Sequence, residues 1–185
     1  MARRASRFSS TQSPNHLITK SKPLVGIVMD SEADRMLMEQ AATMLKRFGV
    51  SYETQVLSRT RPALARRYAR TAASRGMKVL IVGSGGTSPL AQKIALHTTI
   101  PVVTVPMTRG VRLSLEQLRN MVQGARGAPM ATVAIDNATN AALLSVQCLS
   151  LELPRLARAL LAYKRQLAAA THQADQSLPR TGRHV

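Results

Sequence analysis

The stretch "VLIVGSGGTSPLAQ", residues 79–92, decides how the chain is read. Four aliphatic residues, Val79 to Val82, run into Gly83-Ser84-Gly85-Gly86 and then Thr87-Ser88-Pro89. A short aliphatic run of this length bounded by glycines predicts a buried strand. Glycines let a backbone approach a ligand closely, and the hydroxyls of Ser84, Thr87 and Ser88 can donate hydrogen bonds. The stretch therefore reads as a strand entering a backbone-lined anion pocket. It lacks the Gly-Lys-Ser/Thr ending of a phosphate loop. Ser88 fills the third glycine position of a dinucleotide fingerprint, so neither pattern is met.

Outward from this strand, strand-like and helix-like segments alternate. Leu24–Met29, Tyr52–Leu57, Val102–Val105 and Met130–Ile135 read as strands. Helical spacing predicts a helix over Ala33–Phe48 with Met36, Leu37, Ala41, Met44, Leu45 and Phe48 on one face, stopped by Gly49. Further helices are predicted over Arg61–Ser74 (opened by Pro62), Leu90–Thr98, Leu113–Ala125, Asn140–Leu151 and Pro154–Ala170. Strands separated by helices of this length imply βαβ units, a parallel sheet and a doubly wound α/β domain. Ligands of such sheets bind beyond the carboxyl ends of the strands. The segments to search are Asp30–Asp34, Ser58–Arg61, Gly83–Pro89, Pro106–Gly110 and Asp136–Asn140.

Composition bounds the classes. The 185 residues suffice for one domain with a sizeable core; 45% are hydrophobic but only 3% aromatic, so the core is aliphatic. A single cysteine, Cys148, excludes an internal disulfide framework and reads as a small core residue of a helix. No apolar run reaches the ~20 residues of a membrane span. The expected compartment is cytoplasmic. Residues 1–22, rich in Arg, Lys and Ser and without an acid, read as a disordered basic arm, and also resemble an organellar transit peptide. Residues 23–170 form the expected domain, and 171–185 a polar tail. The four histidines are scattered and no metal-ligand spacing occurs. A net charge of +17 raises nucleic acid as a partner, yet the cations are spread along the chain and few aromatics are available for stacking.

Two of the loops have both a structural and a binding reading. Ser31 can cap a helix while the acids of its first turn suit the dipole; alternatively Ser31 and the helix amides hold an anion and Asp34 accepts from a ribose hydroxyl. Ser58, Arg59 and Arg61 form either a phosphate clamp or a capped helix start with solvated arginines.

The segments "VGIVMDSEADRMLMEQAATMLKRFGVSYETQVLSRTR", "YARTAASRGMKVLIVGSGGTSPLA", "TTIPVVTVPM", "MVQGARGAPMATVAI" and "NAALLSVQCLSL" follow one another in an order that resembles the PurE family, N5-carboxyaminoimidazole ribonucleotide mutase or aminoimidazole ribonucleotide carboxylase, over residues 24–168. The resemblance implies a three-layer α/β/α, flavodoxin-like fold with a C-terminal helix, assembled as a homo-octamer. It implies a role in purine synthesis with a phosphorylated ribonucleotide as ligand, no metal and no cofactor, and one histidine that relays a proton. Matched residue by residue, it carries Ser31, Asp34, Ser58, Arg61, Gly85, Gly86 and Leu90 over as ligand-binding positions, with Gly83 beside them; Ser84, at a variable position of that loop, joins them through its hydroxyl.

Departures fall where the chemistry lies. Asp30 stands for a glycine of the family's first loop and Ala33 for a serine. Thr60 stands where the family's catalytic histidine belongs, and Arg59 replaces an alanine before it. Pro89 replaces a second histidine, and Ala91-Gln92 replace Pro-Gly. The family's Gly-Lys-Ala-Gly-Ala-Ala-Asn becomes Asp136-Asn137-Ala138-Thr139-Asn140, two residues shorter. A threonine hydroxyl cannot relay a proton near neutrality without a base to activate it, whereas imidazole titrates there. Three functions stay open: a diverged family member that binds a ribonucleotide without standard turnover, alone or in a hetero-oligomer with an active paralogue; a working enzyme with a rearranged acid/base; and a structural or RNA-interacting protein on the same fold.

Overall fold

The computed structural model describes residues 22–57, 61–85, 89–108, 116, 119 and 126–177. The expectations for residues 1–21, for most of the helix over 113–125 and for 178–185 lie outside the described residues.

Five parallel strands form one sheet in the order β2-β1-β3-β4-β5: β1 Val25–Met29, β2 Tyr52–Val56, β3 Val79–Gly85, β4 Val102–Met107 and β5 Ala131–Thr132. Every residue of β1, β3 and β4 is buried, as expected of parallel strands covered on both faces. Helices α1 (Arg35–Arg47) and α4 (Ala138–Ser150) pack on one face with the core of Ile27, Met38, Leu45, Ile81 and Val146. Helices α2 (Pro62–Ala72) and α3 (Leu90–Ala95) cover the other over Val28, Leu80, Val82 and Ile94. The α5 helix (Pro154–Ser177) docks on the first group through Leu156, Leu160 and Tyr163, whose ring meets Phe48 edge-on at 5.6 Å. Its Arg155 donates to the Phe48 and Gly49 carbonyls at 3.2 and 3.3 Å, capping the end of α1. The three-layer, flavodoxin-like α/β/α architecture is thus the one expected. No helix among the described residues is long and apolar enough to cross a membrane.

Four details differ from the sequence reading. β3 extends through Gly83, Ser84 and Gly85, because β4 runs on to Met107 and pairs with all three. The last strand shrinks to two residues on the sheet edge. The buried stripe of α1 is Met38, Ala41, Ala42 and Leu45. Met36 is 87% exposed, since a 3₁₀ turn over Glu32–Asp34 sets the phase of the helix that follows. The closing helix passes Ala170 and reaches Ser177.

Gly26 shows how tightly α2 sits on the sheet. A Cβ there would lie 2.7 Å from Leu80 Cδ2 and closer still to Tyr68 Oη, which donates to Met77 Sδ at 3.6 Å. Burial, with Glu53 second, pushes the Tyr68 phenol up, so it stays neutral. Arg75 lies 4.7 Å over that ring and pairs with Glu53 at 2.7 Å. Gly26→Ala is expected to lose about 1–3 kcal/mol through overpacking. Urea denaturation of the variant beside the parent checks this; unchanged stability would mean that α2 can lift without loss.

Candidate functional site

The strand order reverses direction between β1 and β3, and a sheet of this order opens a crevice at that point. In the register, β3 and β4 run two residues past the end of β1. Met29 lies opposite both Gly83 and Val56, Gly83 opposite Val105, and Gly85 opposite Met107. The residues that follow β1, β3 and β4 therefore emerge at one edge, together with the start of α2.

From β1 the chain passes through Asp30, 6% exposed, into Ser31, whose Oγ accepts from the Ala33 amide at 3.2 Å. The capping reading of Ser31 is thus realised, in a 3₁₀ turn. Asp34, 1% exposed, closes the turn. Arg35 holds Glu32 in a bidentate pair that keeps this carboxyl below the usual carboxylate range, chiefly by hydrogen bonding. Both groups of that pair face solvent at the rim.

From β3, Gly83 brings the backbone against two thioethers: a Cβ here would meet the Sδ atoms of Met38 and Met107 at 2.8 Å each. Ser84 and Gly85 follow, both buried. Pro89 precedes α3 with no side-chain cap bond, and Leu90 is buried beneath it as the first residue of that helix. Arg61 is exposed at the N-terminus of α2, with Pro62 at the first helical position. Of the candidate residues, Ser31 and Asp34 follow β1, Ser84 and Gly85 end β3, Leu90 opens α3 and Arg61 opens α2. Ser58, Thr60 and Gly86 lie outside the described residues, as do Arg59, Thr87 and Ser88.

A feature the sequence reading missed joins the ends of β4 and β5. Asp136 accepts from the Thr108 amide at 2.9 Å and from its hydroxyl at 2.5 Å. Its own amide donates to the Pro106 carbonyl at 2.8 Å. Asp136 has a φ of +53°, the left-handed region that Asp tolerates better than most residues. Asn137 then caps α4, accepting from the Asn140 amide at 2.9 Å. The available signal was the Asp-Asn pair in place of a family glycine.

Two histidines are described. His97 lies in the turn after α3, away from the strand ends, and His172 lies in α5. Cys148 is half-buried in α4 beside the aliphatic core. Among the described residues no group of three His, Cys, Asp or Glu side chains could hold a metal.

The family model for AIR carboxylase matches residues 24–170. The chain belongs to the AIR carboxylase family. It is 40% identical to an N5-carboxyaminoimidazole ribonucleotide mutase of Pyrococcus horikoshii over 87% of this chain and 92% of that protein. The corresponding mutase of Aquifex aeolicus is 45% identical over 75% and 84% of the two chains. A phosphoribosylaminoimidazole carboxylase of Saccharomyces cerevisiae is 44% identical over 69% of this AIR carboxylase homologue, which spans only 23% of the yeast protein. In structure, the chain superposes on Treponema denticola PurE with a TM-score of 0.72, covering 85% of this chain and 99% of that one at 23% identity. That likeness speaks for the shared fold.

The Thr108–Asp136 clasp gives a stability prediction. Asp136→Ala is expected to lose about 2–4 kcal/mol, from two hydrogen bonds to a charged acceptor and the left-handed backbone. Asp136→Gly loses the bonds but not the backbone ease, and should be about 1 kcal/mol more stable than the alanine variant. Equal denaturation midpoints for the two would remove the backbone part of this account.

Proposed function

We propose that this AIR carboxylase homologue binds a phosphorylated aminoimidazole ribonucleotide at the β1/β3 crevice and does not perform the family's standard proton relay. The relatives' names supply the ligand class: a mutase of N5-carboxyaminoimidazole ribonucleotide and a carboxylase of phosphoribosylaminoimidazole. On this reading Ser31, Ser84, Gly85 and Leu90 serve the ligand from the strand ends and α3, with Arg61 on the phosphate and Asp34 on the ribose; the resemblance adds Ser58 and Gly86 by sequence. The protein thus belongs to purine biosynthesis by kinship, as a ligand-binding member.

The observation that carries the reading is the pair of residues at the two family histidine positions. Pro89 sits at the head of α3 and Thr60 precedes Arg61. Neither side chain can take up and return a proton near neutrality. The described histidines stand elsewhere, and Asp30 adds a buried carboxyl beside the crevice where the family has glycine. A carboxyl there disfavours a carboxylated ligand by like charge, unless a cation such as Arg59 offsets it. Loss of acid/base help typically costs about 100- to 10,000-fold in rate. Met36 and Leu151, exposed at 87% and 89%, favour assembly into the oligomer expected of the family.

Two measurements test the proposal. Turnover of N5-carboxyaminoimidazole ribonucleotide should lie at least about 100-fold below that of an intact family member. Thr60→His alone should recover little, because Pro89 and Asp30 remain. Aminoimidazole ribonucleotide should bind without turnover, and Arg61→Ala should weaken it about 10- to 100-fold through loss of a charge-assisted phosphate bond. Clear turnover by the parent protein would favour instead an enzyme with a rearranged acid/base and end the proposal.

A further inference from the structure

Helix α2 carries Arg66, Arg67 and Arg70 on its outer side, all exposed. With Ala63 and Thr71 they line a shallow groove of about 330 Å³. A second groove of about 420 Å³ adjoins it, formed by Ala69, Arg70 and Ala73 of α2 and by Leu96, His97, Thr98 and Thr99 after α3. Arg70 belongs to both, so the grooves form one track across the α2/α3 layer.

None of the three arginines has an acidic partner within 4 Å among the described residues. Arg75, one turn beyond, pairs with Glu53, and Lys78 pairs with Glu152 at 3.0 Å. The helix itself, Pro62–Ala72, contains no acid. Arg66 and Arg70, at i and i+4, stand on one face about 6 Å apart along the axis, and Arg67 meets Arg70 at i+3. Such like-charge pairs disfavour a helix. The C-terminal dipole accounts for Arg70 at most, not for the two arginines in mid-helix.

We propose that this track is a docking surface for the phosphate backbone of a nucleic acid, read without regard to base sequence. Guanidinium forks give planar, bidentate donors to phosphate oxygens. His97 and the hydroxyls of Thr98 and Thr99 add donors along the same path. The chain's 26 cations against 9 acids supply the long-range attraction that a polyanion needs, and oppose self-association through this face. With no tryptophan in the chain and no phenylalanine or tyrosine lining either groove, His97 is the one ring among the lining residues, so contacts fall chiefly on phosphates and not on bases. The track lies on the helical layer, separate from the β1/β3 crevice, and needs no turnover there.

The test is fluorescence anisotropy of a labelled single-stranded oligouridylate of about 20 nucleotides, titrated with the full chain from about 50 to 200 mM salt. The triple variant R66Q/R67Q/R70Q removes three cations while retaining good helix formers. It should weaken binding and reduce the slope of log K against log salt by about 2. Circular dichroism and aminoimidazole ribonucleotide binding report whether the fold and the crevice remain. A control triple, R158Q/K164Q/R165Q, removes the same charge from the exposed side of α5 and should change the slope by less than half as much. Equal effects of the two triples would overturn the proposal in favour of diffuse charge. An unchanged slope in the α2 triple would overturn it in favour of cations elsewhere. Displacement of the RNA by phosphatidylserine vesicles or polyglutamate as effectively as by unlabelled RNA, at equal charge, would also overturn it.

Discussion

Everything at the functional edge of this protein depends on the hydrogen-bonded register of β1 against β3. Met29 opposite Gly83 ends β1 two residues before β3, which stays paired to β4 through Ser84 and Gly85. Asp30 and the turn capped by Ser31 therefore leave the sheet beside the last two residues of β3. A shift of one residue would turn the buried aliphatic side chains of both strands to the wrong faces, where two different cores wait. The two cores, one under α1 and α4 and the other under α2 and α3, therefore hold the register, and the register holds the crevice.

That arrangement separates shape from chemistry. The backbone contribution to the crevice comes from strand ends, a helix N-terminus and small residues, and it persists in this chain. The chemical contribution of the family's histidines is carried by two side chains, and at those positions stand Thr60 and Pro89. Pro89 is exposed and belongs to neither core. The kinship at 40–45% identity speaks for the shared scaffold.

The distribution of charge is similarly layered. The acids near the crevice are either buried, as Asp30 and Asp34 are, or engaged, as Glu32 and Asp136 are. The arginines of α2 have no such acidic neighbours among the described residues and line open grooves. One helix consequently links two surfaces. Its N-terminus, at Arg61, lies at the carboxyl-end edge of the sheet, and its outer side lines the two arginine-bearing grooves.

The sequence by itself determined the class of fold, because buried parallel strands demand aliphatic runs, and connecting helices demand a 3.6-residue period. It pointed to the strand ends as the place to search, and the structure sets Ser31, Asp34, Ser84, Gly85 and Leu90 at or just beyond those ends. Only the tertiary structure decided that β3 includes Ser84 and Gly85, because a strand extends as far as its neighbour offers partners, and β4 continues to Met107. It alone decided that Met38 and not Met36 enters the core, since the phase of α1 is set by the preceding 3₁₀ turn and not by composition. The clasp between Thr108 and Asp136 spans 28 residues of chain, and the arginine track acquires its second groove only where α3 ends against α2. Such contacts arise from the packing of distant segments, and no local period or propensity encodes them.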